Sequence, residues 1–290
     1  MSFGIAGICN FVGQKGQFQQ SFIGHIDFES VENSNGGFKV FRLLNEIGDY
    51  VMTSQQYIQD IRAFCLANAS KDNAEKYSRY FKEGLYNGYG LSAPMMYEKA
   101  KEILAKEGLT LTVVMEASHE LIRAGKSEEI SIMMMTVRGL RKHFTKDTFL
   151  LIEKWFTIGI DNWAHADTLG GMLIPEFMSK RIIGIEDLKT WLTAANKYQR
   201  RCVPVTLIKT LKTANNYKEL FGFIECLMTD AEREVHQGTG WFLREAWKKK
   251  PEETEAFLMK WKDTAPRLIF QYATEKMTAT GKAAFRRKRK

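Results

Sequence analysis

From Ser54 to about residue 278 the chain offers one helical segment after another, joined by only two or three residues, and this succession constrains the fold more than any other feature. Connections this short favour antiparallel neighbouring helices. SQQYIQDIRAFCLANA opens on Ser54, which predicts a cap, and sets Ile58, Ile61, Cys65 and Leu66 on one face. SKDNAEKYSRYFKEGLY, capped by Ser70, predicts a second apolar stripe of Tyr77, Tyr80, Phe81 and Leu85. After Gly88 and Gly90, SAPMMYEKAKEILAKEG supplies a serine cap, an early proline and a closing glycine, the punctuation of a third helix. The pattern predicts further helices over approximately 110–124, 127–143, 145–158, 162–180, 185–195, 198–213, 215–228, 231–249, 252–262 and 265–278.

Short helices that stack on their nearest neighbours form an α-solenoid, so the expected fold is all-α: a HEAT-like α-solenoid of antiparallel helix pairs over residues 51–278. A compact helical bundle is the alternative. Residues 1–50 are rich in Gly and Phe and lack Pro, and the NSNGG run at 33–37 suits the turn of a β-hairpin or an irregular extension. They are expected to form an N-terminal extension of unknown role. Residues 279–290 are expected to be a basic C-terminal tail.

The formal charge of +8 points to a polyanionic partner, but six cations stand in the tail: Lys282, Arg286, Arg287, Lys288, Arg289 and Lys290. Removing them leaves +2, so binding to nucleic acid by the body requires a basic face and not global charge. The tail itself reads equally as a solvated terminus or as a sequence-independent phosphate contact. Four widely spaced cysteines, Cys9, Cys65, Cys202 and Cys226, contain no C-x-x-C pair, which argues against a disulfide framework or a structural zinc site. No apolar run reaches the roughly 18 to 20 residues that span a bilayer, and no membrane association is expected. The opening MSFGIAGICNFVG lacks a basic start and a small-residue cleavage site, so the expected localisation is cytoplasmic.

Three segments stand apart chemically. In KWFTIGIDNWAHADTLGG, Asp161 is placed to cap a helix, and Trp163 and Asp167 follow one turn apart on one face, an aromatic plane beside a carboxylate. Such a tryptophan is more often core and such an aspartate more often merely solvated. Asp161, His165 and Asp167 also invite a metal-site reading, but carboxylates and a histidine along one helix are usually surface decoration. In WLTAANKYQRRCVPVTLIK, Asn196 precedes Arg200 and Arg201, which suit either a solvated helix start or a phosphate clamp. In HQGTGWFLREAWKKKPEE, Gly238 and Gly240 permit close backbone approach near Trp241, with Arg244 and Glu245 on another face.

In this order and spacing the segments resemble the AlkD-like DNA alkylation repair family, with its W-x-x-x-D, N-x-x-x-x-R and G-W-x-L-R-E motifs. Here these are Trp163 with Asp167, Asn196 with Arg201, and the run from Gly240 to Glu245. Upstream, SRYFKEGLYNGYGLSAP resembles the family's R-Y-x-K segment and the turn after it, which puts Tyr80 at a DNA-facing aromatic position. The resemblance covers roughly residues 54–275. Tyr198 stands where the family usually has tryptophan, and residues 1–50 and the tail have no counterpart in its minimal form.

The resemblance implies a DNA glycosylase that excises cationic N3- or N7-alkylated purines from duplex DNA and acts as a monomer. Asp167, Trp163 and Trp241 would be catalytic, and Tyr80, Arg201 and Arg200 would bind DNA. It further implies that the lesion is read along a concave face without a deep pocket. No metal or organic cofactor is expected, because an alkylated base is already a good leaving group. The alternatives are a non-catalytic helical-repeat protein that binds damaged or branched DNA, and a protein-interaction scaffold.

Overall fold

A computed structural model describes residues 51–81 and 86–287, within a unit that spans Val51–Lys290. The possible hairpin at 33–37 and the expected core residue Leu85 lie outside the described residues. Every regular element among the described residues is helical.

The first helix, α1 (Ser54–Ala67), is capped by Thr53 and not by Ser54. The Thr53 hydroxyl accepts from the Gln56 amide at 3.1 Å, and the Gln56 side chain accepts in return from the Thr53 amide at 2.8 Å. These two bonds satisfy donors that every helix start leaves open. Tyr57, Ile58, Ile61 and Cys65 face the core, whereas Leu66 is exposed, one position too far round the helix. Ser70 caps α2 (Lys71–Ser78) as expected. That helix stops short of Tyr80, which is 65% exposed and so belongs to no apolar stripe.

Next come α3 (Ala93–Leu104), α4 (Leu111–Ala124), α5 (Ser127–Gly139) and α6 (Lys146–Ile158). The expected helix over 162–180 is divided. Its parts are α7 (Trp163–Thr168), a wide π turn at Leu169–Leu173, and α8 (Ile174–Ser179). The segment expected at 185–195 winds as a tighter 3₁₀ helix, Ile185–Thr193. Then follow α9 (Lys197–Thr210), α10 (Tyr217–Phe223), α11 (Arg233–Trp247), α12 (Pro251–Trp261) and α13 (Arg267–Ala273). A further helix, α14 (Ala279–Ala284), lies where a basic tail was expected. Phe285 is buried behind it, and Arg267 and Arg287 donate to the Phe285 and Ala265 carbonyls at 2.8 and 2.7 Å. The tail is therefore packed as far as Arg287.

Alternate helices form one layer. α3, α5, α7, α9, α11 and α13 each pack on the next, while α1, α4 and α6 follow one another in a second layer. This is the HEAT-like array of helix pairs, with the core between the layers. Trp191 shows how it is filled: its ring stacks on Phe149 at 5.5 Å and its indole N–H donates to Glu153 at 2.6 Å. Fully burying an aromatic of this size contributes on the order of 1.5–3 kcal/mol, provided its polar atom is satisfied.

Glycines set the closest contacts in the first of these layers. A Cβ on Gly238 would lie 3.0 Å from Arg201 Cγ, and one on Gly240 would lie 2.6 Å from Tyr272 Cβ and 2.7 Å from the Ile269 carbonyl. α11 thus touches α9 on one side and α13 on the other through bare backbone, the close approach that the G-T-G spacing predicts. Gly170, in the wide turn, meets the Cys202 carbonyl at 2.8 Å in the same sense.

Candidate functional site

Consecutive helices of this layer bring their first turns to one cleft of about 570 Å³. α5 contributes Ser127; α7 and its cap contribute Asn162, Trp163 and Asp167; α9 contributes Tyr198 and Arg201; and α11 contributes Arg233, Glu234 and Gln237. Tyr80, Phe81, Tyr86 and Asn87 enter from the chain ahead of α3, and Tyr272 from the last turn of α13. Helices that begin at a common place add their positive dipole ends there, which favours an anion at the rim.

At the centre of the cleft is an ion pair. Arg201 Nε and Nη2 each donate to one oxygen of Asp167 at 2.8 Å, and Nη1 donates to the Glu234 carbonyl at 2.8 Å. The Arg201 side chain is 8% exposed and that of Asp167 17%, so the pair is shielded from solvent but open towards the cleft. A two-point fork of this kind fixes the carboxylate plane, which lysine cannot do. Arg201 was expected to clamp phosphate. Its guanidinium is instead turned inward, where it orients Asp167.

Asp161 was expected to cap α7, but Asn162 does so, its side chain accepting from the His165 amide at 2.9 Å. His165 is buried. Its Nε2 donates to the Ser127 carbonyl at 3.1 Å, and Nδ1 accepts from Asn162 Nδ2 at 2.8 Å. Burial holds its pKa below the ordinary histidine value, and both ring nitrogens are engaged by the neutral ring. Among the described residues no group of three or more His, Cys, Asp or Glu stands close enough to hold a metal ion.

One wall of the cleft is aromatic. Trp163 is 37% exposed and stacks on Phe81 at 5.4 Å, and Phe81 leans on Tyr86 at 5.4 Å. Tyr86 is held by Glu128, a nearly fully buried carboxylate in the first turn of α5. Glu128 accepts from the Tyr86 hydroxyl and from the amides of Tyr89, Gly90 and Leu91 at 2.9, 2.8 and 3.2 Å. Burial and this carboxylate push the Tyr86 phenol pKa upward. Across the cleft, Gln237 donates to the Tyr272 hydroxyl at 2.9 Å.

Of the residues singled out from the sequence, Tyr80, Trp163, Asp167 and Arg201 meet in this cleft. Trp241, one turn beyond Gln237 on α11, is half-buried and does not line it. Arg200 is also elsewhere. It grips Asp230 at 2.7 and 3.2 Å and the Ala194 and Ala195 carbonyls at 2.6 and 3.1 Å, so it closes the 3₁₀ helix against the loop before α11. Asn196 caps α9 and donates to the Phe156 and Ile160 carbonyls at 2.9 Å, tying α9 to the end of α6. Sequence reasoning missed Arg233, Gln237 and Tyr272. Arg233 and Gln237 stand one turn apart and one turn before Trp241, the same local rule that singled out Trp163 and Asp167.

The DNA alkylation repair enzyme family model matches residues 61–277. A search of curated protein sequences gives no match. The fold is similar to that of a solved structure from Enterococcus faecalis described as a predicted DNA alkylation repair enzyme. The TM-score is 0.61 at 16% identity, over 73% of this chain and 97% of that one. AlkD2 from Streptococcus mutans aligns with a TM-score of 0.45 at 17% identity, over 78% of this chain and 100% of its own. No helix among the described residues is long and apolar enough to cross a membrane. With its family matched over most of its length and its helical array shared with a solved relative, the chain belongs to the DNA alkylation repair enzyme family.

Proposed function

We propose that this protein, acting as a monomer, is a DNA glycosylase that hydrolyses the bond between deoxyribose and a cationic N3- or N7-alkylated purine in duplex DNA. The observation that carries this reading is the placement of Asp167, whose carboxylate is fixed by Arg201 and opens onto the same cleft as the exposed face of Trp163. Alkylation makes the purine a cation. When its bond to C1′ breaks, the electron pair passes to the base, which leaves neutral, and the positive charge moves to the sugar as an oxocarbenium-like state. A preorganised carboxylate stabilises that charge more in the transition state than in the ground state. Water adds to C1′, and its proton passes to solvent directly or through Asp167. The Trp163 ring offers a π face to the cation, a contact on the order of 0.5–2 kcal/mol. The chemistry calls for no metal or organic cofactor.

One observation favours a catalytically silent binder of damaged or branched DNA: Asp167 is already matched by a guanidinium. Single-turnover release of 7-methylguanine and 3-methyladenine from methylated duplex, with EDTA present, separates the two readings. Asp167→Asn is expected to keep duplex binding and to slow release at least about tenfold, the effect of ~1.4 kcal/mol of lost transition-state stabilisation. Equal rates for the variant and the parent remove Asp167 from the chemistry, and no release by the parent leaves the silent reading.

A further inference from the structure

Two charges in the cleft are uncommitted. Asp161 and Arg233 both line it, both are exposed, and neither takes part in an ion pair among the described residues. Asp167 and Arg201, by contrast, are occupied with each other. Between the free charges stand the side chains of Phe81, Tyr86, Trp163, Tyr198 and Tyr272, together with amides from Asn87, Asn162 and Gln237. The volume of about 570 Å³ falls within the ~300–1,000 Å³ usual for small-molecule sites. An aromatic lining with amide groups for a heterocycle edge, one free carboxylate and one free guanidinium is a receptor for a compact ligand that carries both signs of charge. A nucleotide with a cationic purine has this composition.

We infer that the cleft takes up one such nucleotide, extruded from the duplex, with its base among the aromatic side chains beside Asp161 and its phosphate on Arg233. This rests on the glycosylase reading above and specifies how its substrate is held. The position of Arg233 suits the task, since it is the first residue of α11 and adds a guanidinium to the open amides of a fifteen-residue helix. Asp161 provides uncompensated negative charge in a partly desolvated, aromatic setting, where attraction for a cation exceeds its value in water. Leaving the stack costs a few kcal/mol, least for a damaged base.

Two arms test the inference, and they separate a free nucleotide from one still in DNA. In the first, quenching of tryptophan fluorescence follows 7-methylguanosine 5′-monophosphate, guanosine 5′-monophosphate and 7-methylguanosine. The methylated nucleotide is expected to bind about tenfold tighter than the unmethylated one. Asp161→Asn should level the two. Arg233→Ala should weaken both nucleotides about tenfold and leave the nucleoside unchanged. Both side chains are exposed, so the variants fold. In the second arm, a duplex with 2-aminopurine at one position should brighten when the protein binds, as that base leaves the stack. Equal affinity for methylated and unmethylated nucleotides, or no brightening, overturns the inference even if 7-methylguanine is still released. If nucleotides bind and the duplex brightens but no base is released, the glycosylase reading falls and the receptor stands.

Discussion

With Nε and Nη2 on Asp167 and Nη1 on the Glu234 carbonyl, Arg201 reaches phosphate only by abandoning bonds it already holds. Arg201→Lys should therefore lower excision about tenfold or more and cost about 1–3 kcal/mol of stability, because one ammonium cannot replace a fork. It should leave the salt dependence of binding to undamaged duplex unchanged, whereas a phosphate contact would lower that slope by about one. His165 supplies a second test. Burial lowers its folded-state pKa, while in the unfolded chain it titrates near the ordinary value of 6.5. Below that pH the unfolded chain takes up a proton that the folded protein does not, so stability is lost as pH falls through it, by up to ~1.4 kcal/mol per pH unit. His165→Gln, which keeps a donor for the Ser127 carbonyl, should flatten the melting temperature between about pH 7 and about pH 5. A parallel decline in parent and variant would assign the acid sensitivity to other groups. Trp163 and Asp167 were legible in the sequence because their relation is local, one turn of one helix. The role of Arg201 was not, since its partners come from α7 and α11 and only the tertiary fold chooses between a carboxylate and a phosphate.

At the scale of the element, α11 joins its neighbours through two glycines with unequal room. An added methyl at position 238 meets a flexible arginine stem at 3.0 Å, while at 240 it meets backbone oxygen at 2.7 Å and Tyr272 Cβ at 2.6 Å. Gly240→Ala should cost about 1–3 kcal/mol, clearly more than Gly238→Ala, as measured by chemical denaturation. Gly238→Ala should instead disturb excision, because the stem it presses on belongs to Arg201. The helices themselves were largely predictable from capping residues and apolar spacing, as α4, α6 and α12 show within a residue or two. The departures follow competing local physics. Thr53 outdid Ser54 because Gln56 completes its capping box, and the run at 162–180 broke at paired glycines that let the turn widen against α9. Arg200 and Arg201 are adjacent in sequence, yet neighbouring positions on a helix point in different directions, so one serves the cleft and the other a distant loop.

For the molecule as a whole, the basic end is part of the fold and also a store of charge. Phe285 is buried and the segment is tied to α13 by Arg267, so deleting residues 282–290 removes an anchor as well as six cations. That truncation should lower the melting temperature. Replacing Lys282, Arg286 and the three terminal basic residues with glutamine should leave the melting temperature in place and flatten the salt dependence of DNA affinity, with the preference for lesion over undamaged duplex unchanged. A collapse of that preference would mean that the tail reads the lesion.

An extra residue in the turn at Leu169–Leu173 rotates everything after it by about 100° relative to an unbroken α-helix. Trp163 and Asp167 therefore head for the cleft in one phase, while Leu173, Ile174 and Phe177, all fully buried, head for the core in another. A regular helix would make one stripe answer to both duties. Here the two halves are out of step, so lineages are free to repack the inner half without re-aiming the carboxylate, and to retune the mouth of the cleft without disturbing what lies beneath it.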